Sequence, residues 1–126
     1  MVQITLYHYT SKAGGLGIKT DKMIKKSDQH TPSKRRLHGE GVYFTSLDPN
    51  HNPEKLVLNN FTKGAKKLRP RGSSTLFKKI HYVVRVTFEE DEVEKIQDGG
   101  RDIYLYRGDV DLTKYPGYEV KHNRTP

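Results

Sequence analysis

Cysteine is absent from the chain. That removes disulfide scaffolds, Cys-ligated zinc sites, haem thiolates and cysteine nucleophiles, while leaving the redox compartment open. Long apolar runs are missing too. No stretch approaches the ~18–20 residues needed to cross a bilayer, and residues 1–10 lack the basic head and apolar stretch of a secretory signal. Acid is scarce beside base: 23 Lys and Arg stand against 15 Asp and Glu, a formal charge of +8. Such an excess suits an anionic partner, whether nucleic acid, a phosphorylated cofactor or an acidic protein or membrane surface. A basic surface that serves only solubility explains it equally well.

What remains fits one domain over residues 1–126, because soluble domains cluster near ~100–150 residues. Apolar residues make up 33% of the chain and are spread along it, so a small core with long polar loops is expected in place of disorder. The expectation is a soluble monomer, cytoplasmic or nuclear, with no membrane contact.

Residues 2–9 alternate with a period of two, which predicts a strand with Val2, Ile4, Leu6 and His8 on one face. Ser11 is placed to cap a short helix over 12–18, weakened by Gly14, Gly15 and Gly17. Residues 19–36 read as a basic loop with one short strand around Met23. Gly39-Glu40-Gly41 then leads into Val42-Tyr43-Phe44-Thr45-Ser46, a β-branched and aromatic strand, closed by a turn at Asp48-Pro49-Asn50. Pro53 opens a second amphipathic helix through Leu56, Val57 and Phe61. After a basic loop over 62–75, residues 77–88 predict the longest strand, with Ile80, Tyr82, Val84 and Val86 on one face. The block 89–92 is acidic and reads as an exposed turn. Strands at 103–106 and 118–121 follow, separated by a turn at Tyr115-Pro116-Gly117.

Five or six strands, consecutive toward the C-terminus, with two short helices in the first half, predict an α+β fold with a mostly antiparallel sheet. Gly39-x-Gly41 precedes a strand and has no helix behind it, so it is not a dinucleotide fingerprint.

Three strings carry candidate chemistry: Leu6-Tyr7-His8-Tyr9-Thr10, Gly39-Glu40-Gly41-Val42-Tyr43-Phe44-Thr45, and Arg101-Asp102-Ile103-Tyr104-Leu105-Tyr106. Singly each is ordinary, since a His on an apolar strand face, a Tyr in a Gly-led strand and an Asp ahead of a strand usually serve packing and turns. In this order and spacing they resemble the ADP-ribosyltransferase superfamily, and within it the small His-Tyr-Asp class related to the poly(ADP-ribose) polymerase catalytic core. The second string reproduces that family's Gly-x-Gly-[Ile/Val]-Tyr-Phe motif, and the resemblance runs from Leu6 to about Tyr118.

The resemblance implies a split, mostly antiparallel sheet with a few short helices, and NAD as co-substrate with no metal. His8, Tyr43 and Asp102 take the catalytic positions. His8 would bond a ribose hydroxyl, the Tyr9 backbone the nicotinamide amide, and Tyr43 would stack on the nicotinamide ring. Thr10, Gly41, Phe44 and Thr45 complete the implied NAD contacts. Asp102 would accept from the ribose 2′-hydroxyl and stabilise the positive charge that develops as the nicotinamide–ribose bond opens. Arg35 and Arg36 suit the pyrophosphate, or form a solvated basic loop.

Two departures narrow the expectation. Asp stands where chain-elongating relatives carry Glu, so transfer of a single ADP-ribose unit is expected. Gly100 stands where arginine-modifying relatives keep an acid or amide, so an arginine acceptor is disfavoured. The run from Lys63 to Lys79 contains no acid, and within it Lys66, Lys67, Arg69 and Arg71 are candidate contacts to a DNA or RNA acceptor; a solvated face is the plainer reading. Alternatives within reach are an NAD glycohydrolase, an RNA 2′-phosphotransferase and a catalytically silent nucleic-acid-binding module.

Overall fold

The computed structural model describes residues 2–25, 41–50, 55–56, 78–96 and 102–123. Strand β1 (Gln3–Thr10) pairs antiparallel with β4 (Tyr82–Glu89) over its whole length, and β4 pairs in turn with β8 (Glu119–His122). A second sheet sets β6 (Ile103–Tyr106) between β3 (Val42–Phe44) and β5 (Glu94–Ile96). A two-stranded pair joins β2 (Met23–Ile24) to β7 (Val110–Asp111). Every one of these pairings is antiparallel. With helix α1 (Lys12–Asp21), the described residues form an α+β fold.

Among the described residues, one backbone bridge joins the two larger sheets. Tyr7 and Thr45 form an isolated antiparallel bridge, Tyr7 N donating to the Thr45 carbonyl at 2.8 Å and Thr45 N to the Tyr7 carbonyl at 2.9 Å. Among the described residues, pairing between β1 and the β3 segment goes no further. The sheets therefore part directly beside His8.

Alternation along β1 decides what each face buries. Leu6 enters the main core with Ile24, Val42, Phe44, Val84, Val86, Phe88, Val110 and Leu112, while Tyr9 joins Leu56, Ile80 and Val83 on the other side. Each such side chain contributes roughly 1.5–3 kcal/mol on burial, so Phe44, edge-on to Phe88 at 5.1 Å, is a pillar of the fold. Phe44→Ala would cost about 3–5 kcal/mol.

Several expectations need correction. The strand predicted over 77–88 begins at Tyr82, because Lys78–Ile80 is a 3₁₀ turn. That turn breaks the parity, so Ile80 packs with Val83 and Tyr9 instead of with Val84 and Val86. Val2 lies ahead of β1 and is exposed. Helix α1 extends to Asp21, three residues beyond the predicted end, and Ser11 caps it by accepting from Gly14 N. Strands β5 and β7 were not predicted. The second helix falls largely outside the described residues; Lys55 and Leu56 are helical, and Leu56 is fully buried. The basic loop 62–75 lies outside them altogether.

Candidate active site

His8, Tyr43 and Asp102 reach one neighbourhood from three separate elements. His8 sits near the end of β1, Tyr43 in the middle of β3, and Asp102 immediately before β6. Pairing of Phe44 with Tyr104 fixes the register of β3 on β6. Continued by two residues, that register sets Ser46 opposite Asp102.

The stretch 43–46 holds both flanking residues. His8 Nδ1 lies 2.9 Å from the carbonyl oxygen of Tyr43. Asp102 Oδ1 accepts from Thr45 Oγ1 at 3.1 Å and from Ser46 N at 2.8 Å, and Oδ2 accepts from Ser46 Oγ at 2.5 Å. Thr45 itself is wholly buried, and its hydroxyl also accepts from Leu47 N.

These contacts set protonation. Burial pushes the Asp102 carboxyl up, but hydrogen bonds from Ser46 and Thr45, with the nearby Lys95 charge, outweigh it and hold the group below its usual value. Asp102 is therefore a firm carboxylate at neutral pH. Burial also lowers the His8 imidazole below 6.5, more than the Tyr43 contact raises it. A carbonyl only accepts, so the neutral ring carries its proton on Nδ1 and presents Nε2 as an acceptor.

The other sequence candidates fall into distinct places. Phe44 is in the core, 5.7 Å from the His8 ring. The Tyr43 ring faces the opposite side of β3, half-buried against Ile96, Ile103 and Leu105. Tyr9 is buried and donates its phenol to the Leu47 carbonyl at 2.7 Å, so of this residue only the backbone is left for the contact that the resemblance implies. Thr10 closes β1 opposite Tyr82. Gly41 has φ +156°, and a Cβ there would lie 2.4 Å from the Tyr106 carbonyl oxygen. Its smallness thus seats the Val-Tyr-Phe strand against β6. Arg35, Arg36, Lys66, Lys67, Arg69 and Arg71 lie outside the described residues.

Two residues of the neighbourhood were not read from the sequence. Ser46 gives Asp102 two hydrogen bonds; the signal was available, since a Thr-Ser pair at a strand end supplies donors to whatever lies opposite. Lys95, 3.9 Å from Asp102 Oδ2, had no signal, because only the register of β5 on β6 brings it there.

No protein-family model matches the chain, and neither a characterised protein nor a solved structure shows detectable similarity to it. Among the described residues no group of three His, Asp or Glu side chains is placed to hold a metal ion, and no helix is long and apolar enough to cross a membrane.

Proposed function

We propose that the chain is an NAD-dependent mono-ADP-ribosyltransferase. One observation carries the reading: His8 and Asp102, 94 residues apart in sequence, are both anchored on the four residues 43–46 that follow Gly-x-Gly. Side chains drawn only into packing have no need of that convergence. The single bridge between β1 and the β3 segment supports a sheet split at this point, as the ADP-ribosyltransferase fold has it.

In this reading NAD lies against the split with its nicotinamide amide on the Tyr9 backbone, and Tyr43 serves through its carbonyl, which holds the His8 ring. The neutral His8 ring accepts a ribose hydroxyl proton at Nε2. The C1–N bond to nicotinamide breaks, its electron pair leaving with the ring, and positive charge spreads over C1 and the ring oxygen of the ribose. Asp102, fixed by three hydrogen bonds before the reaction starts, faces that charge without having to reorganise. An acceptor oxygen or nitrogen then bonds to C1 and gives its proton to water, because so acidic a carboxyl is a poor proton store. The shorter Asp favours a single transfer, and the +8 charge favours a nucleic-acid acceptor.

Incubation with labelled NAD and a panel of protein, DNA and RNA tests this. Label on DNA or RNA is the expected result. Label only in free ADP-ribose marks a glycohydrolase, and NAD left intact rejects the reading.

A further inference from the structure

Ser46 carries a hydroxyl that the transfer leaves unused as a reactant. Its Oγ donates to Asp102 Oδ2 at 2.5 Å, and the residue is exposed. Thr45 also donates to the carboxylate, at 3.1 Å, but it is wholly buried and its oxygen is engaged by Leu47 N. Of these two hydroxyls, only that of Ser46 is open to a substrate. A hydroxyl held by a carboxylate is a stronger nucleophile than one in water, because the anion draws off the proton as the oxygen attacks. The position also suits attack. Oδ1 takes both Thr45 Oγ1 and Ser46 N, so the ribose 2′-hydroxyl is best met at Oδ2, the oxygen that Ser46 Oγ touches. C1 is the carbon next to the one bearing that hydroxyl, which makes Oγ and C1 neighbours on one carboxylate.

We propose that Ser46 is an acceptor within the chain itself: when no macromolecule is docked, ADP-ribose is transferred to Ser46 Oγ of the same molecule. The inference rests on the reading of Asp102 given above. The C1–N bond breaks with its electron pair leaving on nicotinamide, the Oγ–C1 bond forms, and the Oγ proton crosses to Oδ2 and on to water. Lys95 Nζ, 3.9 Å from Oδ2 and 4.5 Å from the centre of the Tyr104 ring, is the rival nucleophile by type; as an ammonium it has no electron pair to give. The product limits its own formation. A glycosylated Ser46 oxygen no longer donates to Asp102, and the attached ADP-ribose stands where the next NAD would bind. Each chain is thus modified once and then falls silent, whereas an acceptor that docks first takes the ADP-ribose and keeps the chain active.

The test incubates full-length wild type with NAD alone. Nicotinamide release and the intact mass of the chain are followed together, and peptide fragmentation locates any added group. The expected result is a gain of one ADP-ribosyl group per chain, on Ser46, with nicotinamide release slowing as the labelled share rises. The label should survive neutral hydroxylamine, which strips ADP-ribose esters from Asp and Glu. Counted per nicotinamide released, so that a slower variant cannot imitate the effect, the label should be lost in Ser46→Ala and regained in Ser46→Thr. Diluting the enzyme at fixed NAD should leave the labelled share at a given time unchanged. Label on Lys95, a hydroxylamine-sensitive label, or transfer to a differently tagged Asp102→Asn chain overturns the assignment. Nicotinamide release from a chain that stays unlabelled overturns it too, with the reading of Asp102 intact. If wild type releases no nicotinamide under any condition, that reading itself fails, and this inference with it.

Discussion

Asp102 is more acidic than its burial alone allows, and the cause is local: Ser46 and Thr45 supply three hydrogen bonds to its carboxylate. Ser46→Ala removes one of them and leaves the backbone donor, so the Asp102 carboxyl rises toward its ordinary range. The acid limb of the kcat/KM profile for NAD should move upward in pH with it, which a pH series checks. Asp102 also contributes stability above the ordinary carboxylate value of ~3.9 that is lost as pH falls through its lower folded value. The sign for His8 follows from burial. Its folded pKa lies below the unfolded ~6.5, so the unfolded chain takes up a proton first. Stability is therefore full above that value and falls as the solution is acidified. His8→Gln should flatten the decline in Tm between pH 7.5 and 5.5 relative to wild type; an unchanged slope would place the titration elsewhere. Tyr43→Ala should destabilise the fold by roughly 1–2 kcal/mol, since its ring is half-buried against Ile96, Ile103 and Leu105, while Tyr43→Phe keeps that packing; chemical denaturation measures both.

Helix α1 shows how a weak local sequence is rescued by packing. Three glycines lower its propensity, yet one of them is indispensable. A Cβ on Gly15 would meet the Tyr82 ring at 2.4 Å, and those ring atoms are next to the backbone and cannot swing away. Gly15→Ala, which in an open helix stabilises by about 0.5–1 kcal/mol, should here destabilise by about 1–3 kcal/mol, as chemical denaturation would measure. Gly17, with nothing near it, is the matched control and should show the ordinary gain. Strands β1, β3 and β6 were legible because alternation or β-branched and aromatic composition marks them, and Ser11 announced α1 by its capping oxygen. Strand β5 was not, since Glu94-Lys95-Ile96 has one apolar residue and its place comes from the partner β6. The start of β4 was misread because Ile80 looks like one more step of the alternation; its apolar side chain serves a different core. Of the site, the three motif residues were legible, whereas Ser46 and Lys95 depend on register between strands distant in sequence.

At the scale of the molecule, charge is unevenly divided. Acids from Glu89 to Glu92 follow the end of β4 that is far from His8, Gln3 pairing with Glu89 there and Thr10 with Tyr82 at the site end, while Glu94 opens β5 and pairs with Arg107. Within the described residues acid nearly balances base, so most of the +8 is carried by the remaining segments, the run containing Lys66, Lys67, Arg69 and Arg71 among them. If that run meets a polyanion, labelling of nucleic acid should weaken steeply with salt, with counterions released as phosphates are neutralised. Replacing the four residues by Ser should lower labelling far more than nicotinamide release, and label on protein alone would return the run to a solvated surface. All of this depends on one assignment, that the carboxylate anchored on residues 45 and 46 acts on the nicotinamide–ribose bond. The most direct measurement is nicotinamide release from NAD by wild type and by Asp102→Asn, with Tm recorded for both. Wild type should release nicotinamide, and Asp102→Asn should release it about 10²–10³-fold more slowly, the usual loss when one preorganised electrostatic group is removed, with a Tm lowered by the lost carboxylate contacts but with the protein still folded at the assay temperature. Equal rates in the two proteins, or no release by wild type, would contradict it.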